Sequence, residues 1–242
     1  MCSRYSLTRR PQWSEPDVEI SESAEMESFA PHYNIAPSQR ILTLRQRAST
    51  GKREAGRMRW GLIPYWAKDP GMAQHLINAR SESVLEKPAF REAFAKRRCL
   101  IPADGFFEWK KEGKLRRPFR YTMKDDSIFY FGGVWERWRA PDGTPVFSCS
   151  ILTTEPNELV RPIHNRMPVI VPQKDQPVWL DATLVKPSEV QEVCAPLPAE
   201  EMKCYEVSRV VNNPNNDGPE CIAPIAAPTD LFSAVQEQAP HG

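Results

Sequence analysis

Cys2 stands directly after the initiator methionine, and this position gives it a chemistry that an internal cysteine lacks. Removal of Met1 leaves an amine and a thiol on adjacent carbons. Such an aminothiol condenses with an aldehyde: the amine forms an imine, and the thiol then closes a thiazolidine ring, an intramolecular step. Because an α-amino group has a pKa of about 7.7–8.0, part of it is a neutral nucleophile at physiological pH. Cys2 is therefore a candidate nucleophile, although its position alone also fits an incidental cysteine.

A carboxyl group and an imidazole are candidates for proton transfer. Glu108 lies between Phe107 and Trp109, and desolvation by such neighbours raises a carboxyl pKa towards neutrality. Simple strand alternation would instead place Glu108 on a solvated face. His164 lies in a turn before an apolar stretch, with Arg166 two residues on. A lone histidine of this kind also fits a purely structural role.

Amide, guanidinium and aromatic side chains are candidates for contacts with a sugar–phosphate chain. Asn78 and Arg80 share one side of an extended segment, where they could address a sugar and a phosphate. Asn34 lies in the segment YNIAPS, and Trp66 lies in a proline-rich loop. An exposed ring in that loop could stack on a base, whereas Trp60 is expected in the core.

Charge is unevenly distributed along a chain whose formal net charge is only +1. Residues 14–27 carry six acids and no base, residues 40–59 carry seven bases against one acid, and residues 91–120 carry ten against four. Two solvated faces of opposite sign would account for this pattern. A basic surface for a phosphate backbone is the alternative, and the aromatic and polar residues above favour it.

Composition restricts the class of protein. The 242 residues suit one domain with a substantial core. Six scattered cysteines and no export signal predict reduced thiols and a cytoplasmic protein. No C-x-x-C or H-x-x-x-H spacing occurs, so neither a metal nor a cofactor is expected. No apolar run approaches the roughly 20 residues of a membrane span, and nothing indicates an obligate oligomer, so we expect a monomer.

The elements that must position these residues are mostly short strands. Turn signals at 125–127 and 141–143 separate apolar and aromatic runs, which predicts antiparallel pairing. Strands are expected at 98–103, 105–110, 117–123, 128–138, 147–154, 166–172 and 203–211. The predicted class is α+β: a β-rich single domain with a mostly antiparallel, curled or barrel-like sheet and a few peripheral helices.

Helices and boundaries complete the sequence prediction. Pro88 and the apolar spacing after it predict a helix over 88–97, and Pro187 predicts another over 187–194. The acidic segment 14–27 is expected to be a loop or a weak helix. The domain is expected to span 1–223, followed by a flexible, polar and proline-rich tail over 224–242.

A set of motifs, taken in order, resembles one known family. The motifs are MCSRY, HYNIAPSQ, RWGLIPYW, NARSES, FREAF, RRCLIPADGFFEWK, FGGVWERW, ILTTEPN and IHNRMPVIV. Together they resemble the SOS response-associated peptidase (SRAP) family, also called abasic-site processing proteins, over roughly residues 2–211. The resemblance implies a β-rich domain that binds single-stranded DNA and links covalently to an abasic site through a thiazolidine.

The same resemblance implies roles for individual residues. Cys2 matches the crosslinking nucleophile, and Glu108 matches the carboxylate that assists sugar opening and imine formation. His164 matches the histidine that helps proton transfer and reversal of the link. Asn78 matches the amide that orients the reacting amino terminus. Phosphate-binding arginines are matched by Arg4, Arg80 and Arg166, and the DNA channel by Asn34 and Trp66.

One position departs from the family pattern. The family usually has glycine where this chain has Ser3. If that glycine supplies a positive φ, serine would cost roughly 1 kcal/mol or more and shift Cys2. If glycine is there only for its size, serine is tolerated, and the intact remaining motifs favour tolerance.

Two other classes of function use the same residues. A peptidase or amidohydrolase with an amino-terminal nucleophile would use the Cys2 thiolate on an amide bond, and its whole extent could be self-cleavage after Met1. A module that recognises single-stranded or modified DNA without chemistry would need no thiol. Replacing Cys2 discriminates these alternatives, since only the crosslinking function requires both its amine and its sulfur.

Overall fold

The structure is a computed structural model that describes residues 2–12, 18–20, 29–47, 49–181, 183 and 186–225. Strands dominate these residues. They are β1 (Tyr5–Leu7), β2 (Val18–Ile20), β3 (His32–Ile35), β4 (Arg40–Gln46), β5 (Arg53–Trp60), β6 (Asn78–Arg80), β7 (Arg98–Ala103), β8 (Gly105–Glu112), β9 (Leu115–Met123), β10 (Phe129–Arg139), β11 (Pro145–Thr154), β12 (Met167–Pro168) and β13 (Met202–Glu206).

The strands form two sheets. One has the order β13-β9-β8-β1-β3 and is antiparallel throughout. The other has the order β12-β11-β10-β7-β4-β5-β2. A parallel pairing of β11 with β5 joins the two ends of β5-β4-β7-β10-β11, so these five strands close into a barrel. The predicted β-rich class with a mostly antiparallel, barrel-like sheet is confirmed.

Helices are short and lie at the periphery. The α-helices are α1 (Arg91–Lys96), α2 (Gln176–Leu180) and α3 (Pro187–Glu192). The predicted helices over 88–97 and 187–194 are thus confirmed with shorter bounds. Short 3₁₀ helices occupy Pro70–His75, Ser81–Ser83, Gln173–Asp175, Ala199–Glu201, Arg209–Asn212 and Pro219–Cys221. Among the described residues, no helix is both long and apolar enough to cross a membrane.

Some sequence predictions need correction. The strand expected over 166–172 is limited to β12 and a bridge at Ile170, and the one expected over 203–211 ends at Glu206, where a 3₁₀ turn follows. Of the acidic segment 14–27, residues 18–20 form a strand rather than a loop or helix, and the rest lies outside the described residues. The tail expected over 224–242 lies outside them from residue 226 onward.

A buried aromatic cluster supports the amino-terminal strand. Tyr5 packs edge-on against Trp60 and Phe131, with ring centroids 5.5 and 5.6 Å apart. Phe106 packs against Phe131 in the same core. Fully burying rings of this size contributes roughly 1.5–3 kcal/mol each. β1 is therefore fixed between β8 and β3, and Cys2, three residues before Tyr5, enters the core with it.

Candidate functional site

Cys2 is fully buried, and its backbone is held by a side chain from a distant strand. Nδ2 of Asn78 donates to the carbonyl oxygen of Cys2 over 2.8 Å. Asn78 is placed there because β6 pairs in parallel with β11, which puts Asn78 opposite Ile151. Burial, followed by the nearby Glu108 carboxylate, raises the pKa of the Cys2 thiol well above its usual range, so the sulfur is a neutral thiol.

Glu108 is buried, so the alternative that it lies on a solvated face of its strand is wrong. Phe106 and Glu108 share one face of β8 by alternation and are buried. The other face is not solvated either, because Phe107 packs there with Val207, Val211 and Cys221. Burial raises the pKa of Glu108 to about 7. The carboxyl group therefore exchanges protons near neutral pH.

His164 lies next to this carboxyl group. Its Nε2 is 3.9 Å from Oε2 of Glu108. Nδ1 lies 3.1 Å from the backbone nitrogen of Arg166 and 3.2 Å from its carbonyl oxygen, so the Arg166 backbone holds the ring in place. Burial lowers the pKa of His164, so the imidazole is neutral at physiological pH. The two expected proton-transfer groups are thus brought together.

Arg4 is anchored by the residue that was expected to line a DNA channel. Nη1 of Arg4 donates to Oδ1 of Asn34 and to the carbonyl of Val211, both over 3.0 Å. Asn34 is buried, and its Nδ2 donates to the carbonyls of Asn213 and Asn216 over 3.0 and 2.8 Å. The Asn34 side chain therefore faces Arg4 and a loop of the chain, and it does not line an open surface.

The other two arginines that were expected to bind phosphate, Arg80 and Arg166, differ in their exposure and contacts. Arg80 is exposed at the end of β6. Arg166 is 12% exposed, and both terminal nitrogens of its guanidinium are on the carboxylate of Glu82. Sequence reasoning missed Glu82, since no local signal links it to a residue 84 positions away.

Trp60, at the end of β5, and Trp66, in the loop that follows, differ in burial as expected. Trp60 is fully buried in the core. Trp66 is 46% exposed and its neighbour Tyr65 56%, although the backbone N–H of Tyr65 donates to buried Glu136 over 3.0 Å. The exposed rings are thus carried on an anchored loop, where a flat partner could reach them.

A cavity of about 380 Å³ opens beside His164. Its lining combines an aromatic ring with two cations, contributed by Trp109, Lys110 and Lys111 of β8, and His164 itself. Trp109 also lies 6.0 Å from the Arg4 guanidinium. A larger cavity of about 700 Å³ opens near Arg9, beyond the end of β1 opposite Cys2. We place the site at the smaller of these two cavities, because its lining includes His164.

Three further features bear on the chemistry. The described cysteines are all free thiols. Within the described ranges, no group of three or more His, Cys, Asp or Glu residues is arranged to hold a metal ion. Positive φ angles at described non-glycine residues occur at Ser38 and Asp126, so Ser3 has an ordinary backbone conformation. The backbone strain considered for serine at that position therefore does not arise.

Comparisons with known proteins agree on one family. The model of the SOS response-associated peptidase (SRAP) family matches residues 1–214. The chain is 42% identical over 229 residues to the Bacillus subtilis abasic site processing protein YoqW, covering 92% of this chain and 99% of the relative. It is 32% identical over 258 residues to the Mus musculus abasic site processing protein HMCES, covering 91% and 70%.

The fold is shared with solved structures. A protein from Bacteroides thetaiotaomicron has a TM-score of 0.82 and 26% identity, over 93% of this chain and 100% of that one. A protein from Bordetella bronchiseptica has a TM-score of 0.71 and 27% identity, over 86% and 100%. The chain therefore belongs to the SOS response-associated peptidase (SRAP) family.

Proposed function

We propose that this protein captures abasic sites in single-stranded DNA as a covalent thiazolidine formed by the amine and thiol of Cys2 after Met1 is removed. The observation that carries the proposal is the 2.8 Å hydrogen bond from Asn78 to the Cys2 carbonyl, which fixes the backbone of the reactive residue, whose thiol is close enough to Glu108 for the carboxylate to raise its pKa. The names of the curated relatives, abasic site processing proteins, support the substrate class.

Glu108 opens the closed sugar. An abasic deoxyribose exists mainly as a cyclic hemiacetal, and its aldehyde appears when the C1′ hydroxyl loses a proton and the ring oxygen gains one. A carboxyl group with a pKa of about 7 is present in both protonation states at neutral pH, so it accepts the first proton and returns it to the ring oxygen.

The crosslink then forms in two steps that balance without a redox partner. The neutral amine of Cys2 adds to C1′, and loss of one water gives an imine. The sulfur next forms a bond to C1′, the C=N π electrons move to nitrogen, and the thiol proton is transferred there. The product is a thiazolidine plus one water. Trapping the imine protects the strand, because a persisting imine promotes β-elimination.

His164 assists the proton transfers at the sugar and the reversal of the crosslink. Nε2 of its neutral ring lies 3.9 Å from Oε2 of Glu108. In reversal, proton donation to the leaving sulfur reopens the ring to the imine, which water then hydrolyses. A neutral imidazole beside a carboxyl group of pKa about 7 suits this exchange.

Cations and an exposed aromatic ring are the groups that we assign to the DNA. Arg4 and Arg80 are assigned to phosphates and Trp66 to stacking on a base, whereas Arg166 could contact a phosphate only when its guanidinium leaves Glu82. Asn34 acts here as a positioning residue, because it holds Arg4. A single strand fits this arrangement better than a duplex, since the bases must be accessible to an exposed ring.

A thiolate hydrolase is less well supported. The thiolate is the nucleophile of cysteine peptidases, and their active cysteines have a lowered pKa. Burial and Glu108 raise the pKa of Cys2 instead. A neutral thiol suits addition to an imine, in which its proton moves to nitrogen, and self-cleavage after Met1 is the extent of peptidase activity that we include.

The test is a denaturing gel of the processed protein with single-stranded DNA that contains one abasic site. We expect a retarded band that survives detergent and heat. Cys2→Ala keeps the amine but lacks the sulfur, so its imine should be trapped only when borohydride is added. A wild-type protein lacking Met1 that gives no band would refute the proposal.

A further inference from the structure

Glu82 and Arg166 form a bidentate ion pair beside the site. Nη2 of Arg166 donates to Oε2 of Glu82 over 2.9 Å, and Nη1 donates to Oε1. Nη2 also donates to the carbonyl oxygen of Thr153 over 2.6 Å, so the guanidinium is fixed from two sides. The hydrogen bond from Arg166 is the largest cause of a lowered pKa at Glu82, which keeps this carboxylate ionised.

The ion pair connects two separate parts of the site. Glu82 lies in the 3₁₀ turn Ser81–Ser83, directly after β6, which carries Asn78. Gln191 fixes that turn, because its Nε2 donates to the carbonyl oxygen of Ser81 over 2.8 Å. Arg166 lies in the loop that carries His164. The pair therefore joins the strand that holds Cys2 to the loop that holds the imidazole.

Arg166 also contacts the imidazole directly. Nδ1 of His164 lies 3.1 Å from the backbone nitrogen of Arg166 and 3.2 Å from its carbonyl oxygen, and Nε2 is 3.9 Å from Oε2 of Glu108. A shift of the Arg166 backbone would therefore rotate the ring and move Nε2 relative to Glu108. The ion pair is also neutral overall, so Arg166 adds little net positive charge for a phosphate while Glu82 is bound.

We propose that Glu82 is a positioning residue for His164: its carboxylate fixes Arg166, whose backbone holds Nδ1 of the imidazole so that Nε2 faces Glu108. The role in crosslinking rests on the proposed function. The role in orienting the ring is a property of the protein without DNA, so the two can fail separately.

The test compares Glu82→Gln with Glu86→Gln. The first substitution is nearly isosteric but removes the bidentate pair, whereas Glu86 is an exposed acid four residues on with no described side-chain contact. Without DNA, the ¹⁵N NMR shifts of the two His164 ring nitrogens should be the same in the wild type and Glu86→Gln, and should change in Glu82→Gln because the ring is no longer held in one orientation. Thermal unfolding shows whether each variant is folded. Arg166→Lys keeps the positive charge but cannot form the bidentate pair with Glu82, so it should give the same spectrum as Glu82→Gln.

With DNA, the rates of capture and of crosslink reversal are measured under single-turnover conditions. We expect Glu82→Gln to slow reversal by about tenfold, since misplacement of a catalytic group by about 1 Å costs up to about 10²-fold. In a His164→Ala background the same substitution should have no further effect on reversal, because Glu82 acts through His164.

Each alternative result has a distinct meaning. Identical His164 spectra and rates in Glu82→Gln and Glu86→Gln would overturn the proposal. Tighter noncovalent DNA binding by Glu82→Gln, with unchanged spectra and reversal, would also overturn it and would identify Glu82 as a competitor of phosphate. If the wild type forms no crosslink, the proposed function fails, and the spectra still decide whether Glu82 orients His164.

Discussion

Asn78 holds Cys2 by its backbone: the side-chain amide nitrogen donates to the Cys2 carbonyl oxygen over 2.8 Å, between residues 76 positions apart. The contact depends on the parallel pairing of β6 with β11. The position of the reactive residue is therefore set by the sheet and not by the amino terminus itself. In the proposed reaction this hydrogen bond holds the amine and thiol of Cys2 in one orientation, whereas a free chain end would sample many.

Asn78→Ala is expected to slow capture by roughly tenfold or more while leaving noncovalent DNA binding unchanged, because it releases the Cys2 carbonyl. Single-turnover crosslinking measures the effect. Asn215→Ala, which truncates an exposed asparagine, is the control and should behave as the wild type. Equal capture rates for both variants would show that the hydrogen bond does not orient the amine.

Glu108→Gln is expected to change how stability depends on pH. Burial raises the pKa of Glu108 to about 7, so between its ordinary pKa and about 7 the folded chain keeps a proton that the unfolded chain has lost. Stability must therefore fall as pH rises through this window, by up to about 3 kcal/mol. Glutamine mimics the protonated acid, so the variant should not lose stability as pH rises through this range.

Denaturant unfolding at pH 5 and pH 8 measures this difference. The variant should gain stability over the wild type, by about 2–3 kcal/mol, at pH 8 only, while its capture rate falls roughly 10²-fold. A stability difference that is the same at both pH values would mean that Glu108 has an unshifted pKa.

Asn34→Ala is expected to weaken both the fold and the Arg4 contact. The substitution leaves buried carbonyls of the 211–216 loop without their amide donor, at a cost of about 2–3 kcal/mol. Arg4 also loses an acceptor at 3.0 Å, so DNA affinity should fall. Chemical denaturation and a DNA titration measure the two effects, and undiminished affinity in the folded variant would remove Asn34 from the proposed interface.

Arg80→Ala is expected to lower the salt dependence of noncovalent DNA binding. A phosphate contact releases a counterion, so its loss should reduce the slope of log K against log salt by about 1. Arg139→Ala, which removes an exposed arginine at the end of β10, is the charge-matched control. Equal slopes for the two variants would indicate that Arg80 contributes only general charge.

The central strands could be predicted from the sequence because local signals agree there. Turn residues separate β9, β10 and β11, and their apolar and aromatic runs are long. β4 and β5 were not predicted, since arginines interrupt their pattern. These charges are tolerated because they pair across the strands, as Arg45 does with Glu54 over 3.0 Å, and such pairing is visible only in the fold.

The candidate site could likewise be predicted only in part. The identities of its residues could be proposed from motifs, but their surroundings could not. Glu108 faces inward because residues 207–221 cover the other face of β8, and these residues lie about a hundred positions further along the chain. Asn34 and Arg166 were assigned to DNA from sequence, yet distant partners, Arg4 and Glu82, already occupy their side chains.

The most direct test of the central claim is the mass of the adduct. Mass spectrometry of the protein after incubation with an abasic-site oligonucleotide should give the chain without Met1, plus the DNA, minus one water, with the modified peptide beginning at Cys2. Cys2→Ala should give no such species without reductant. A protein that retains Met1, or an adduct that persists in Cys2→Ala, would contradict the account, because the aminothiol would then not be the group that reacts.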